Sequence, residues 1–166
     1  MLGLTHLGII HTLLSLVAVA AGAAAFVRFG SISLRTRTGV VYVLATVLTC
    51  VTGFGIFKTG AFGPAHAVGV LTLVVLTFAV LVEKRTVLGS LSLALETVSY
   101  TTTYFLHMIP AVNETTTRLP PSAPLAAGPN DPLVLGLVGL AFALYVIGAA
   151  FQLLRLKSIA AAVRAS

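Results

Sequence analysis

Residues 90–120 read SLSLALETVSYTTTYFLHMIPAVNETTTRLP, an apolar span that carries a row of polar and titratable side chains. Successive residues of an α-helix are turned by about 100°, so Glu96, Tyr100, Thr103, Tyr104 and His107 fall within an arc of about 100° and form one stripe. A carboxylate, two phenols and an imidazole cannot face lipid cheaply. In a bilayer such a stripe turns toward other helices, a cofactor or water.

The surrounding composition calls for a bilayer. The 166 residues are 58% hydrophobic and only 8% charged, with a mean hydropathy of +1.07. Soluble domains carry about 25% charged residues, so this composition indicates an integral membrane protein, in contact with the lipid bilayer. A net charge of +6 would suggest nucleic acid in a soluble chain. Here the Lys and Arg residues lie in loops between apolar spans, where membrane topology accounts for them and no nucleic-acid partner is expected. Cys50 is the single cysteine and sits inside an apolar span, which leaves neither a disulfide framework nor a cysteine-based metal motif.

Outward from the quoted stretch, the hydropathy pattern predicts an all-α bundle of five transmembrane helices in one domain, residues 1–166. The spans are expected at about 4–27, 39–57, 64–82, 88–109 and 133–154. The first ends in AGAAAF, which has the small residues of a signal-peptidase site, but no basic residue precedes the apolar run, and it reads as a span. Lys58 to Gly63 reads as a tight turn, with Pro64 in the first turn of span three. Pro110 lacks the amide hydrogen that continues a helix and is expected to end span four, leaving 111–132 as an outer Pro-rich loop.

Lys and Arg then set the orientation. Five crossings put Arg28, Arg35, Arg37, Lys84, Arg85, Arg155, Lys157 and Arg164 on one side, against Lys58 and Arg118 on the other. Eight against two places the N-terminus outside and the C-terminus in the cytoplasm. If the fourth span failed to cross, the tail would change sides and the bias would be lost.

In that orientation His6, His11, His66 and His107 all lie in the outer half. Imidazole is the commonest metal ligand and the usual axial ligand of haem iron, and both uses need nitrogens converging from separate helices. His11, His66 and His107 are the candidate set, for haem b or for a transition metal ion. His6 and His11 are about 140° apart on a helix and cannot easily share an ion. Such histidines can instead anchor at the interface or bond a main-chain carbonyl. Glu96 lies about 12 Å from the inner end of its span, where an ionisable residue is a functional candidate. Glu96, Tyr100 and Tyr104 then read as a proton relay toward His107. The plain alternative is a neutral Glu96 that makes one interhelical hydrogen bond, to Thr46 or Thr49.

HTLLSLVAVAAG from His11, the basic turn, GVVYVLATVL from Gly39 and GPAHAVGVLTLVVLTFAVLVEKR from Gly63 resemble an uncharacterised family of small bacterial multi-pass membrane proteins with histidine-led helices. The family carries a His-Arg pair in the first basic turn, where this chain has Arg37-Thr38-Gly39. The resemblance implies a bacterial cytoplasmic-membrane protein and names no reaction. A more distant similarity, to b-type haem membrane cytochromes, rests on histidines in a helical bundle, without an inner-face histidine for a second haem. Three classes of function follow. One is a haem or metal site in membrane electron transfer or quinone-linked redox chemistry. Another is a proton-coupled small-molecule transporter. The third is a non-catalytic accessory subunit of a larger membrane complex or homo-oligomer. Whether the protein is an enzyme is left open by these readings.

Overall fold

In the computed structural model, which describes residues 5–57, 61–84 and 90–165, the chain is all-α. Five helices follow in order: α1 (His6–Phe29), α2 (Arg37–Gly53), α3 (Pro64–Lys84), α4 (Ser90–Arg118) and α5 (Pro132–Ala165). The expected start of span one at Leu4, the turn residues Lys58 to Gly60, Arg85 and the start of span four at Leu88 lie outside the described residues.

Local chemistry fixes the ends. Thr5 caps α1 by accepting from the Gly8 amide at 3.1 Å, and Thr36 caps α2 by accepting from the Gly39 amide at 3.0 Å. α1 stops at Gly30, whose φ of 77° is the left-handed conformation that glycine adopts without a Cβ penalty, and whose amide donates to Phe26 O at 2.9 Å. Asp131 caps α5: one carboxylate oxygen accepts from the Leu133 amide at 2.9 Å and the other from the Ala127 amide at 3.0 Å, with Pro132 in the first turn.

Two boundaries correct the sequence reading. α2 closes at Gly53, where Phe54 and Gly55 turn back with amides bonded to Cys50 O and Thr52 O, so the second span is shorter than 39–57. Pro110 does not end α4, which continues to Arg118 with the proline inside it. A proline removes one donor, and helices in packed bundles tolerate that loss where neighbouring groups compensate. The connection between α4 and α5 is therefore about 119–131, and it folds back onto the end of α4 through Ala126 N–H to Thr116 O at 3.0 Å.

α1 packs on α2, α3 on α4 and α5 on α4, while α2 meets α3 and α1 touches α4. Small residues make the closest approach possible: Ala18, Ala21, Gly22 and Ala25 form the buried face of α1. The Tyr104 ring lies where a Cβ on Gly22 would sit only 2.5 Å from it.

Burial departs from that of a soluble protein, although Ile32, Tyr42, Leu76 and Tyr100 form a buried apolar core. The buried positions include Thr46, Thr49, Thr72, Glu83, Glu96, Thr103 and His107, while Leu13, Leu44, Val74, Leu144, Phe151 and many other large apolar side chains are exposed. Water would penalise that surface and lipid would not. α1, α3 and α5 are long and apolar enough to cross a membrane, and α2 is a shorter apolar helix. α4 has the polar stripe inside, and its mean apolar character is correspondingly lower.

Candidate functional site

The segment between the Gly30 cap of α1 and the Thr36 cap of α2 is held down by a carboxylate from α3. Glu83 Oε1 accepts from the Ser33 hydroxyl at 2.6 Å, and Oε2 accepts from the Leu34 amide at 3.1 Å. A third donor comes from α4: the Tyr100 hydroxyl bonds Glu83 Oε2 at 2.7 Å. One turn before Tyr100, Glu96 receives both terminal nitrogens of Arg35, at 2.8 and 2.9 Å. This fork-on-fork geometry is the strong form of a guanidinium–carboxylate contact. Arg35 Nη1 also stands 3.8 Å from Glu83 Oε1, so two carboxylates on separate helices share one guanidinium.

Burial is unequal. The side chains of Glu83 and Glu96 are 4% and 3% exposed, while Arg35 is 54% exposed. With every group ionised these three carry one net negative charge, and both carboxylates are shielded from solvent while the guanidinium is not. The hydrogen bond to Glu96 raises the Arg35 pKa, the carboxylate charges add to the rise, and partial burial opposes it. A cavity of about 230 Å³, lined by Leu34, Arg35, Glu83 and Lys84, opens onto the cluster. Gly39 makes room for the same segment, since a Cβ there would stand 1.9 Å from Ser33 O.

A second polar group lies further along α4. The Tyr42 hydroxyl is 2.8 Å from Thr103 Oγ1, and Thr103 donates to the main-chain oxygen of Tyr100 at 2.8 Å. Because Thr103 has a single hydroxyl proton, Tyr42 is the donor in the first bond. His107 Nε2 and Thr46 Oγ1 are 3.0 Å apart, and the His107 ring meets the edge of Tyr42. Tyr100 and Thr103 are thus linked through a main-chain carbonyl, which accepts but cannot pass a proton on. Tyr104 leaves the row: its ring packs edge-on against Phe26 at 5.1 Å and tilts against Tyr42.

The three candidate histidines have separate partners. His11 Nδ1 is 2.9 Å from Thr49 O, so that nitrogen carries the proton. His66 is stacked between Phe57 and Phe62, at 4.9 and 5.0 Å, and its Nδ1 accepts from the Gly63 amide at 3.1 Å. A neutral imidazole that accepts at Nδ1 bears its hydrogen on Nε2, the form with no lone pair there for an ion, and among the described residues His66 Nε2 is buried without a partner. Among the described residues, no group of three or more His, Cys, Asp or Glu side chains is placed to hold a metal ion. These placements do not fit a shared ion on His11, His66 and His107.

Glu96 and Tyr100, singled out by the stripe, are in the cluster. Glu96 lies about 9 Å into α4 by rise per residue and meets Arg35 in place of Thr46 or Thr49. Arg35, Glu83 and Ser33 were legible only as loop or span-end residues. The one signal for Glu83 was its place just inside a long apolar helix, and for Arg35 its place in a short connection between two helices. No family model, no curated protein and no solved structure matches the chain.

Proposed function

We propose that all five helices cross a cell membrane, with the N-terminus outside and the C-terminus in the cytoplasm, and that the protein is a proton-coupled carrier of a small molecule. The observation that carries this reading is the pair of buried carboxylates, Glu83 on α3 and Glu96 on α4, sharing the half-exposed Arg35. The orientation draws support from the bundle end at which Arg35 meets Glu83, since Lys84 follows Glu83 directly and Arg155 of α5 lies against Gly30 nearby in the chain.

The chemistry follows from the excess charge. With both carboxylates ionised, Arg35 ties the 30–36 segment to α3 and α4. A proton taken up through the cavity beside Glu83 neutralises the excess negative charge, and a proton on Glu96 removes the charge that holds the guanidinium fork. Arg35 is exposed enough to turn to solvent once released. The α1–α2 hairpin is then no longer fastened to α3–α4 at this end, a two-state element that a proton biases. Onward passage requires Tyr100 to move, since its main-chain oxygen interrupts the line to Thr103.

The test uses proteoliposomes that enclose a pH-sensitive dye, with a mixture of small metabolites added outside. Substrate-dependent internal acidification is expected for the wild type and is lost in Glu83→Gln and Glu96→Gln. Acidification that persists in both variants, or its absence from the wild type, contradicts the reading and leaves the cluster as a lock between hairpins.

A further inference from the structure

Between α1, α4 and α5 runs a groove of about 510 Å³ that the carboxylate cluster does not use. Its walls are aromatic and aliphatic, with Phe26, Tyr104, Phe105, Tyr145 and Phe151 prominent. Its volume is that of a site for one small ligand. The α5 wall is a single helix face from Ala141 to Arg155, about 21 Å by rise per residue, while one leaflet of a bilayer's hydrocarbon core is about 15 Å thick. The groove is therefore long enough for one lipid tail and a headgroup.

The amide and the charge lie at one end. Gln152 closes the floor there: its amide nitrogen donates to Gly30 O at 2.7 Å and its oxygen accepts from the Thr101 hydroxyl at 2.8 Å. Both ends of that amide are committed to protein. Arg155, one turn on, is not. Its guanidinium lies over Gly30, where a Cβ would come within 2.2 Å of it, and among the described residues no carboxylate pairs with it. An unpaired guanidinium at the mouth of an apolar, tail-length groove is complementary to an anion attached to a hydrocarbon chain.

We propose that this groove holds one anionic membrane phospholipid, its phosphate on Arg155 and one acyl chain along Tyr104, Phe105 and Tyr145. The inference rests on placement of the chain in a bilayer and is independent of proton coupling at Glu83 and Glu96. The headgroup contact supplies selectivity and the groove supplies retention, so the two respond to different substitutions. Gly148 lines the groove and a Cβ there meets nothing within 4 Å, so a larger side chain fills the space without displacing backbone.

Native mass spectrometry of the protein released from nanodiscs of equal phosphatidylcholine and phosphatidylglycerol is the test. The wild type is expected to retain one phosphatidylglycerol in preference to phosphatidylcholine by about fivefold, the effect of one basic side chain at a membrane surface. Arg155→Gln should keep a bound lipid but lose the preference. Gly148→Leu should lose the bound lipid of either kind, with helical circular dichroism unchanged. Equal retention of the two lipids by the wild type, a preference that survives Arg155→Gln, or no retained lipid at all overturns the proposal.

Discussion

With Arg35 replaced by Gln, Glu96 loses its charged partner and two carboxylates are left buried beside each other. Removing one partner of a fully buried pair costs about 3–5 kcal/mol, and because Arg35 is half exposed a smaller loss of about 2 kcal/mol is expected. Unfolding in mild detergent measures it. Adding Glu96→Gln to Arg35→Gln should recover part of the loss, since it deletes the charge left unpaired. Arg35→Lys should fall between wild type and Arg35→Gln, because an ammonium keeps the charge but not the two-point contact. Asp131 gives a separate, pH-dependent prediction. The Ala127 and Leu133 amides hold its pKa below the ordinary Asp value. The capping contribution is then complete above the unfolded-state pKa and is lost as the pH falls through the lower folded-state value. Loss of hydrogen-exchange protection at the Ala127 and Leu133 amides on acidification, taken relative to the intrinsic rate at each pH and absent in Asp131→Asn, is the expected result.

Among the elements, α4 was the most legible and the most misleading. Its stripe was readable because Glu96, Tyr100, Thr103 and His107 recur at helical spacing, and the structure turns all four inward. What they meet was not readable. Arg35 lies 61 positions from Glu96, and periodicity gives the face of a helix without naming the side chain opposite. Tyr104 shows the limit of an angular argument: it stands at the edge of the arc, and Gly22 of α1 offers it a flat surface that the sequence does not reveal. Pro110 does not stop α4, because a missing donor stops a helix only where nothing else favours continuing it. Two substitutions test the packing of these elements. Gly22→Ala should force the Tyr104 ring off α1 and destabilise by about 1–3 kcal/mol, the range for overpacking, while Gly136→Ala on α5, with open space around it, should be neutral. Gly39→Ala should disturb Ser33 and with it the bond to Glu83, read out as increased exchange of the Leu34 amide.

At the scale of the whole molecule, hydropathy was sufficient for the class of fold, since five helices with large apolar residues outside and polar residues inside follow from composition and spacing. Chain position put the histidines in one half of the bundle, and in the structure His11, His66 and His107 each bond a different partner, Thr49, Gly63 and Thr46. At the end where the 30–36 segment meets α3 and α4, charge ties the elements together through Glu83, Glu96 and Arg35. If protons work this element, a neutral carboxylic acid must form in the folded protein. Infrared difference spectroscopy of the reconstituted protein, taken between about pH 8 and pH 5, observes that species directly through its carbonyl stretch. The account predicts a protonated-carboxyl band that grows on acidification, is removed or shifted by Glu83→Gln or Glu96→Gln, and appears while the helices remain intact. A wild-type spectrum without such a band across that range, or a band indifferent to both substitutions, would contradict it.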